Sequence, residues 1–359
     1  MTRAKQGAGR LTLRLLLCWM WLGAVHGDTL FVAPGGNDTQ PCTSSNQACG
    51  SVVVALARAR AEWVGRNGTG GSFSIAVAPG TYNLSAPLRV DFALSLLGGH
   101  AASALFAANG TTVGTSTPTL ACGGAVTSAL VVVDAADDVW YPGGGNLSVS
   151  SVNLRGCTSG ALVVNGSSTY VDASDVTCWN CTTAAAASPT VGACVTVHDG
   201  ARVNFTGGGA VGTTSAMPTD AAFPRQRLAG AVSVTQGGRF GAQGVTFVGS
   251  VSDGCGGFIS VSTSGEAVLQ GCSFVNGSAF QVGTALHCTA VLCIVAARHG
   301  GAGSLCLRGL CFGVLTCGDG AAAVWCGVWG AAWTDVCGAG RRCVHSCLCR
   351  VGHAGGHTV

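Results

Sequence analysis

Hydrophobic and polar residues alternate in short runs between residues 146 and 279. Three runs place one polar residue between two aliphatic ones: Val195-Thr196-Val197, Val232-Ser233-Val234 and Ile259-Ser260-Val261. A period of two residues is typical of a β-strand with one apolar and one polar face. Gly, Asn, Asp or Ser follows the runs, as turns require. The pattern predicts short β-strands separated by turns, with no helical periodicity in this stretch.

The same stretch contains four imperfect copies of one unit. Each copy opens on glycine followed by a small or apolar residue, and the openings are Gly160-Ala161, Gly192-Ala193, Gly230-Ala231 and Gly256-Gly257. A second short strand follows in every copy. Repeats of this length indicate stacked units, because one unit alone cannot bury its apolar face. We predict an all-β fold, a parallel β-helix (solenoid) with strands ~4.8 Å apart. The alternative is an antiparallel β-sandwich, which the glycine openings disfavour.

Residues 1–27 resemble a secretory signal peptide. Lys5, Arg10 and Arg14 form a basic start, an apolar run covers residues 15–22, and small residues precede Asp28. The alternative is a signal anchor, but the apolar run is too short to cross ~30 Å of hydrocarbon. We therefore predict a secreted, extracellular or cell-surface protein with no transmembrane span in the mature chain.

The β-helix domain is predicted to cover residues 28–287. Its first part contains a strand followed by a turn at residues 29–38 and again at residues 74–82, and further strands at residues 94–99 and 130–133. Residues 51–64 form the one stretch with helical periodicity, with Val54, Leu56, Ala57 and Ala61 on the apolar side. Such a helix would cap the open N-terminal end of the stack, which otherwise exposes core and strand edges.

Two segments carry a resemblance to a known superfamily. They are Phe31-Val32-Ala33-Pro34-Gly35-Gly36-Asn37-Asp38 and Val77-Ala78-Pro79-Gly80-Thr81-Tyr82, with the helix between them. This arrangement resembles the start of right-handed parallel β-helix proteins of the pectin-lyase-like superfamily. The later units resemble repeats of the polymorphic outer-membrane-protein type. The resemblance implies a right-handed coil. It also implies that enzymes on this fold cut polysaccharides with carboxylates, calcium or a general acid and base, and a nearby Arg or Lys.

Candidate carboxylates of that kind fall into two groups. The first is Asp134, Asp137 and Asp138, and the second is Asp172 and Asp175. The accompanying cation would be Arg155, Arg202 or Arg239. His198-Asp199-Gly200 is similar to the histidine segment of polygalacturonases, although the other signatures of that family are missing. Residues three apart in a strand face opposite sides, which separates Asp172 from Asp175. Because Asp commonly bonds its own backbone in turns, the sequence favours turn roles over catalysis.

Composition narrows the function classes. The 359 residues include 18 Lys plus Arg and 15 Asp plus Glu, and only 9% are charged. This near-neutral balance argues against an electrostatic nucleic-acid binder. Nine Asn-x-Ser/Thr sequons predict N-glycosylation in a eukaryotic secretory pathway. They are Asn37, Asn67, Asn83, Asn109, Asn146, Asn165, Asn180, Asn204 and Asn276.

Twenty cysteines suggest an oxidising compartment. Cys42 and Cys49 bracket a polar loop and are predicted to pair. Cys178-x-x-Cys181 is predicted to be a structural disulfide rather than a redox pair or half of a zinc site. Ten cysteines lie in the last 72 residues. That tail, residues 288–359, is either a cysteine-rich module or a gene-model artefact, and its composition favours the artefact. No metal site is predicted.

The sequence therefore favours a secreted, glycosylated β-helix with a structural, adhesive or glycan-binding role and no catalysis. Its expected partner is a cell-wall or extracellular-matrix polysaccharide, and no cofactor is expected. The alternative is a polysaccharide lyase or glycoside hydrolase that acts on uronic-acid polymers. Ca²⁺ would be required only under the lyase alternative.

Overall fold

The computed structural model describes residues 28–68, 71–124, 126–134, 145–183, 191–215, 230–252, 258–261 and 264–279, together with the backbone of four later strands. The described part is all-β with two α-helices, and most neighbouring strands run parallel. Strands and helices are numbered here in chain order. The structure confirms strands at the start of the predicted stretches 29–38 and 74–82 and at residues 130–133, whereas the strand predicted over residues 94–99 ends at Leu97.

Four stacked sheets hold the parallel strands. The first sheet contains β1 (Thr29–Val32), β2 (Phe73–Val77), β5 (Ala93–Leu97), β8 (Asn146–Ser150), β11 (Tyr170–Ser174), β15 (Arg202–Thr206), β19 (Arg239–Gln243) and β23 (Glu266–Gln270). The second contains β4 (Leu88–Val90), β7 (Leu130–Val133), β10 (Leu162–Asn165), β14 (Val195–His198), β18 (Val232–Val234) and β22 (Ile259–Val261). The third contains β3 (Thr81–Leu84), β6 (Thr119–Cys122), β9 (Asn153–Arg155), β12 (Thr177–Trp179), β16 (Gly209–Val211), β20 (Thr246–Val248) and β24 (Ser273–Val275). The fourth contains β13 (Thr182–Thr183), β17 (Thr214–Ser215), β21 (Val251–Ser252) and β25 (Ser278–Ala279).

The chain visits these sheets in a fixed order. In one unit β10 joins the second sheet, β11 the first, β12 the third and β13 the fourth. The strands β14–β17, β18–β21 and β22–β25 repeat that order. Each strand pairs with its counterpart in the next unit, so that Val171 faces Val203, which in turn faces Phe240. The four copies seen in the sequence therefore correspond to four successive visits to the same sheets.

Single residues with left-handed backbone conformation form the corners between the third and fourth sheets. Their φ angles are 67° at Gly156, 47° at Asn180, 61° at Gly212, 63° at Gly249 and 53° at Asn276. Glycine and asparagine adopt this conformation more easily than other residues do. Asn180 N donates to Val211 O and Gly212 N donates to Val248 O, both at 2.9 Å. The corner residues therefore lie in one column, each beside its counterpart in the next unit.

The core lies between the sheets and is built from residues that point inward. Aromatic rings stack from unit to unit near the C-terminal end, where the ring centroids of Phe247 and Phe274 are 5.0 Å apart. Burying one such side chain stabilises the fold by roughly 1.5–3 kcal/mol. The second sheet corrects the expectation of an exposed polar face, because Thr196, Ser233 and Ser260 are buried as well.

Helix α1 (Val52–Gly65) confirms the predicted N-terminal helix. Ser51 caps it, since its side chain accepts a hydrogen bond from Val54 N at 3.4 Å. The predicted apolar side is partly wrong, because Ala57 and Ala61 are exposed. The buried residues are Val52, Ala55, Leu56 and Ala59. The helix packs against β1 and β2 at the start of the first sheet.

Helix α2 (Gly99–Ala108) was not predicted. Its short, alanine-rich stretch shows no clear stripe, and Gly98 gives it no side-chain cap. Tertiary packing supplies what local signals lack: Phe106 is fully buried, and its ring centroid lies 5.1 Å from that of Phe31. Most helical stability in proteins comes from such packing rather than from propensity.

The described strands after residue 287 pair differently. They are β26 (Cys288–Gly300), β27 (Ser304–Arg308), β28 (Cys311–Leu315) and β29 (Val324–Trp325). β26 pairs with β23 in antiparallel orientation, and β27 and β28 pair antiparallel with β26. The change of pairing coincides with the loss of the repeat pattern in the sequence.

Candidate functional site

The outer surface of the first sheet carries a regular set of side chains. In β8, β11, β15, β19 and β23 every second residue is buried and the others point outward, as a period of two requires. We call the surface formed by the outward residues of these five strands the polar face. Its three rows are Asn146, Tyr170, Arg202, Arg239 and Glu266; Ser148, Asp172, Asn204, Gly241 and Val268; and Ser150, Ser174, Thr206, Gln243 and Gln270.

Arg202 and Arg239 are neighbours in the first row, and both are exposed. Their strands lie ~4.8 Å apart, and like charges on adjacent strands destabilise a sheet. Glu266 offsets part of this repulsion, with its Oε2 3.8 Å from Arg239 Nε. The side chains of Arg239 and Glu266 are 57% and 36% exposed, so solvent screens their attraction. The row places two exposed arginines on adjacent strands, and guanidinium groups bind carboxylate, sulfate and phosphate groups.

Tyr170 stands beside Arg202 in the same row and is held by a neighbouring strand. Asn204 Nδ2 donates a hydrogen bond to Tyr170 OH at 2.9 Å. The bond joins β15 to β11, so it fixes the phenol at the edge of the arginine pair. An aromatic ring next to hydrogen-bonding side chains can pack against the C–H face of a sugar while its neighbours bond the hydroxyls.

His198 and Asp199 lie where the chain leaves the second sheet for the polar face. His198 Nδ1 is 2.9 Å from Asp199 Oδ2, and the two side chains are 25% and 47% exposed. Asp199 has a φ of 56°, so the pair occupies a tight turn three residues before Arg202. A carboxylate in this position orients the imidazole ring. The pair therefore places one more polar group at the border of the polar face.

Asp134 accepts hydrogen bonds from a neighbouring turn. Its Oδ1 accepts hydrogen bonds from Ser168 N, at 3.2 Å, and from Ser168 Oγ. Its carboxyl group lies over Gly166, where a Cβ atom would collide with it. Arg155 is exposed in β9 of the third sheet. Asp134 belongs to the end of β7 in the second sheet, so these two candidates lie on different sheets. Asp137 and Asp138 lie outside the described residues.

Asp172 and Asp175 do not lie on opposite sides of one strand. Asp172 points outward from β11 in the second row of the polar face. The strand ends at Ser174, and Asp175 follows at a corner with a φ of 53°. Both carboxylates are exposed. The prediction was wrong because the period of two ends with the strand.

Of the two predicted disulfides, Cys42–Cys49 is confirmed and Cys178–Cys181 is wrong. Cys42 bonds to Cys49, but Cys178 bonds to Cys194, and Cys122 bonds to Cys157. Asn180 turns the chain between Cys178 and Cys181, whereas the Cα atoms of Cys178 and Cys194 are 5.6 Å apart, within the range of a disulfide. Cys181 and Cys272 are free and buried. Burial raises the pKa of both thiols, which makes them inert rather than reactive.

The predicted glycosylation sites are largely accessible. Eight of the nine sequon asparagines are exposed, and Asn165 is half-buried. Asn146 and Asn204 lie on the polar face itself, while Asn180 and Asn276 share one corner column.

Two further observations on the described part of the chain concern clusters of metal-ligating side chains and membrane-spanning helices. Within it, no group of three His, Cys, Asp or Glu side chains is arranged to hold a metal ion. None of its helices is long and apolar enough to cross a membrane.

No protein-family model, curated protein or solved structure matches this chain. The polar face therefore has to be interpreted from its own geometry. Sequence reasoning listed Arg202 and Arg239 only as partners for carboxylates and Asn204 only as a glycosylation site, and it missed Tyr170. A signal was present, since Tyr170, Arg202, Arg239 and Glu266 each precede an apolar residue at the same place in successive units. Aligning the units on their inward residues would have put them in one row.

Proposed function

We propose that this protein is a secreted β-helix that binds an acidic polysaccharide through the polar face, as an adhesive or structural element without catalysis. The side-by-side pair of Arg202 and Arg239 is the observation that carries the proposal. A neutral polymer would gain nothing from two adjacent cations. A polymer with carboxylate or sulfate groups would relieve their repulsion on binding.

The remainder of the polar face supports a sugar ligand. Its second and third rows consist mainly of uncharged hydrogen-bonding side chains, such as Asn204, Thr206 and Gln243, all of them exposed. Such groups match sugar hydroxyls without a strong field of one sign. Their spacing along the stack, ~4.8 Å per strand, is close to the length of one pyranose ring. A linear polysaccharide laid across the strands could therefore contact successive units in a similar way.

The proposed architecture is a right-handed parallel β-helix of the pectin-lyase-like type. Support comes from the fixed order in which the chain visits the second, first, third and fourth sheets. One-residue corners between sheets also support it, because they leave little freedom in how one unit sits on the next. Helix α1 would close the N-terminal end of this coil.

Glycosylation places a condition on the proposal. Asn146 and Asn204 lie on the polar face, so a glycan on either would occupy the surface that the ligand needs. We expect these two sequons to remain unmodified in the binding protein. Peptide mapping of the secreted chain checks this, and full occupancy at Asn204 would rule out the polar face as the binding site.

The test compares three proteins on immobilised polysaccharides. They are the full wild-type chain, the Arg202→Ala/Arg239→Ala double variant, and Arg155→Ala as a control for an exposed arginine on the third sheet. We expect wild type and the control to bind polyuronate or a sulfated glycan and to ignore a neutral glucan. The double variant should bind about tenfold more weakly or worse, equivalent to about 1.4 kcal/mol. Equal binding by all three proteins would contradict the proposal.

The alternative of a polysaccharide lyase or glycoside hydrolase is tested with the same samples. Soluble products are assayed after incubation of wild type with the acidic polymers, with and without Ca²⁺. Product release that Asp134→Asn or Asp137→Asn abolishes would favour the enzyme. Binding without release supports the non-catalytic role.

A further inference from the structure

The third sheet exposes a strip of apolar side chains on its outer side. Trp179, Val211, Val248 and Val275 occupy equivalent places in four successive strands, so they lie side by side. We call these four residues the apolar strip. Trp179 is 41% exposed and the three valines are half-buried. Val251, on the adjacent fourth sheet, is 39% exposed.

A contiguous apolar strip on the surface of a secreted protein is a candidate contact site for another molecule or group. Exposed apolar surface costs roughly 25 cal/mol per Å² relative to burial, and such patches commonly mark contact sites. The polar face over the same units has one exposed aliphatic side chain, Val268 at 42% exposure, and it stands among polar residues instead of in an apolar row. We therefore expect a molecule or chemical group to lie on the apolar strip and not on the polar face.

Two sequon asparagines flank the strip. Asn180 follows Trp179 directly, and Asn276 follows Val275 directly. Both are exposed, and both lie in the corner column, three strand spacings or ~14 Å apart. Gly212 and Gly249 occupy the column between them. The corner beside the strip therefore carries no side chain between the two asparagines.

We propose that N-linked glycans on Asn180 and Asn276 fold back over the apolar strip and cover it, with the first sugar on Asn180 packed against Trp179. The proposal rests on the secretion that the proposed function includes and on the N-glycosylation that the sequons predict. A sugar ring has a C–H face that packs on an indole and hydroxyl edges that stay in water, so it can cover an apolar strip and keep the surface soluble. Residues at the two ends of the strip would then be shielded together.

The experiment uses the full chain secreted from a eukaryotic host. Thr182→Ala and Ser278→Ala remove the two sequons and leave both asparagines in place. Ser85→Ala, which removes the sequon of exposed Asn83 elsewhere on the third sheet, is the matched control. Mass spectrometry measures site occupancy, and a hydrophobic fluorescent probe together with light scattering reports exposed apolar surface and association. Native wild type treated with an N-glycosidase repeats the test without a mutation.

We expect occupancy at Asn180 and Asn276. The Thr182→Ala/Ser278→Ala variant and the deglycosylated wild type should show a severalfold gain in probe fluorescence and self-association. Adding Trp179→Ser should reverse most of that gain, and the Ser85→Ala control should show none. Empty sites at Asn180 and Asn276 with other sequons occupied would overturn this inference alone. So would a native protein that is already a dimer through the strip, since the occupant is then a second copy. No glycan at any sequon would overturn the inference as well, and it would contradict the predicted glycosylation of the whole chain while leaving polysaccharide binding by the polar face to its own test.

Discussion

The first and second sheets share an alternating sequence pattern but differ in how far solvent reaches their outward side chains. In the first sheet the outward residues, such as Asn204 and Arg239, are exposed. In the second sheet the outward Thr196 and Ser233 are 4% and 0% exposed. Alternation determines which way a side chain points. It does not determine whether solvent reaches it, because that depends on what else packs on the sheet.

Close packing at a glycine explains part of why the outward residues of the second sheet are buried. Gly192, one of the recurring glycine openings, packs so closely that an added Cβ would lie 2.6 Å from Ser233 N and 2.8 Å from Ala231 O. Its own N donates to Thr196 Oγ1 at 3.1 Å. The glycine openings therefore allow one unit to approach the backbone of the next. The first sheet has no such contact at its outward glycine, Gly241, beside which only the Asn204 side chain lies close.

The largest expected effect is the difference in stability between two glycine-to-alanine variants, Gly192→Ala and Gly241→Ala. Gly192→Ala should lower the free energy of unfolding by about 2–3 kcal/mol, since the added Cβ would meet backbone atoms of Val195, Ser233 and Ala231, and none of the three can move aside cheaply. Gly241→Ala should change it by less than about 0.5 kcal/mol. Its added Cβ would lie 2.8 Å from Asn204 Oδ1, at the end of an exposed side chain. Denaturant midpoints of the two variants measure the difference. Equal losses would show that the second sheet is no more tightly covered than the first.

A smaller effect, measured as the pH dependence of stability, tests whether the two free thiols are buried. Burial raises the pKa of Cys181 above its ordinary value of 9.0, so the folded state holds this proton more tightly than the unfolded state does. The stabilisation is complete below pH 9 and is lost as pH rises through the folded-state pKa. Each such group contributes a slope of about 1.4 kcal/mol per pH unit. Unfolding titrations between pH 8 and pH 10 should therefore show stability falling.

The matched variant for that titration is Cys181→Ala/Cys272→Ala, because burial raises the pKa of both thiols. Most of the slope between pH 9 and pH 10 should disappear in it. Tyr82, whose pKa burial also raises from 10.0, should add its own slope only above that pH. A slope unchanged by the double substitution would mean that these thiols are open to solvent.

The repeat and its strands could be predicted because they depend on local alternation and on glycine at fixed places. Helix α2 could not, since its stability comes from the contact of Phe106 with Phe31 and not from a local signal. The partner of Cys178 was missed for the same reason: Cys194 is near in space but lies 16 residues away. The sequence contains both arginines of the pair, but only the strand register of β15 and β19 shows that they are neighbours.

Hydroxyl-radical footprinting of the full chain, with and without a saturating acidic polysaccharide, tests the central claim most directly. The account predicts that the ligand protects Tyr170, the aromatic residue of the polar face, and leaves the labelling of Trp179 on the third sheet unchanged. Protection at Trp179 with none at Tyr170 would contradict it and would move the binding surface to the apolar strip.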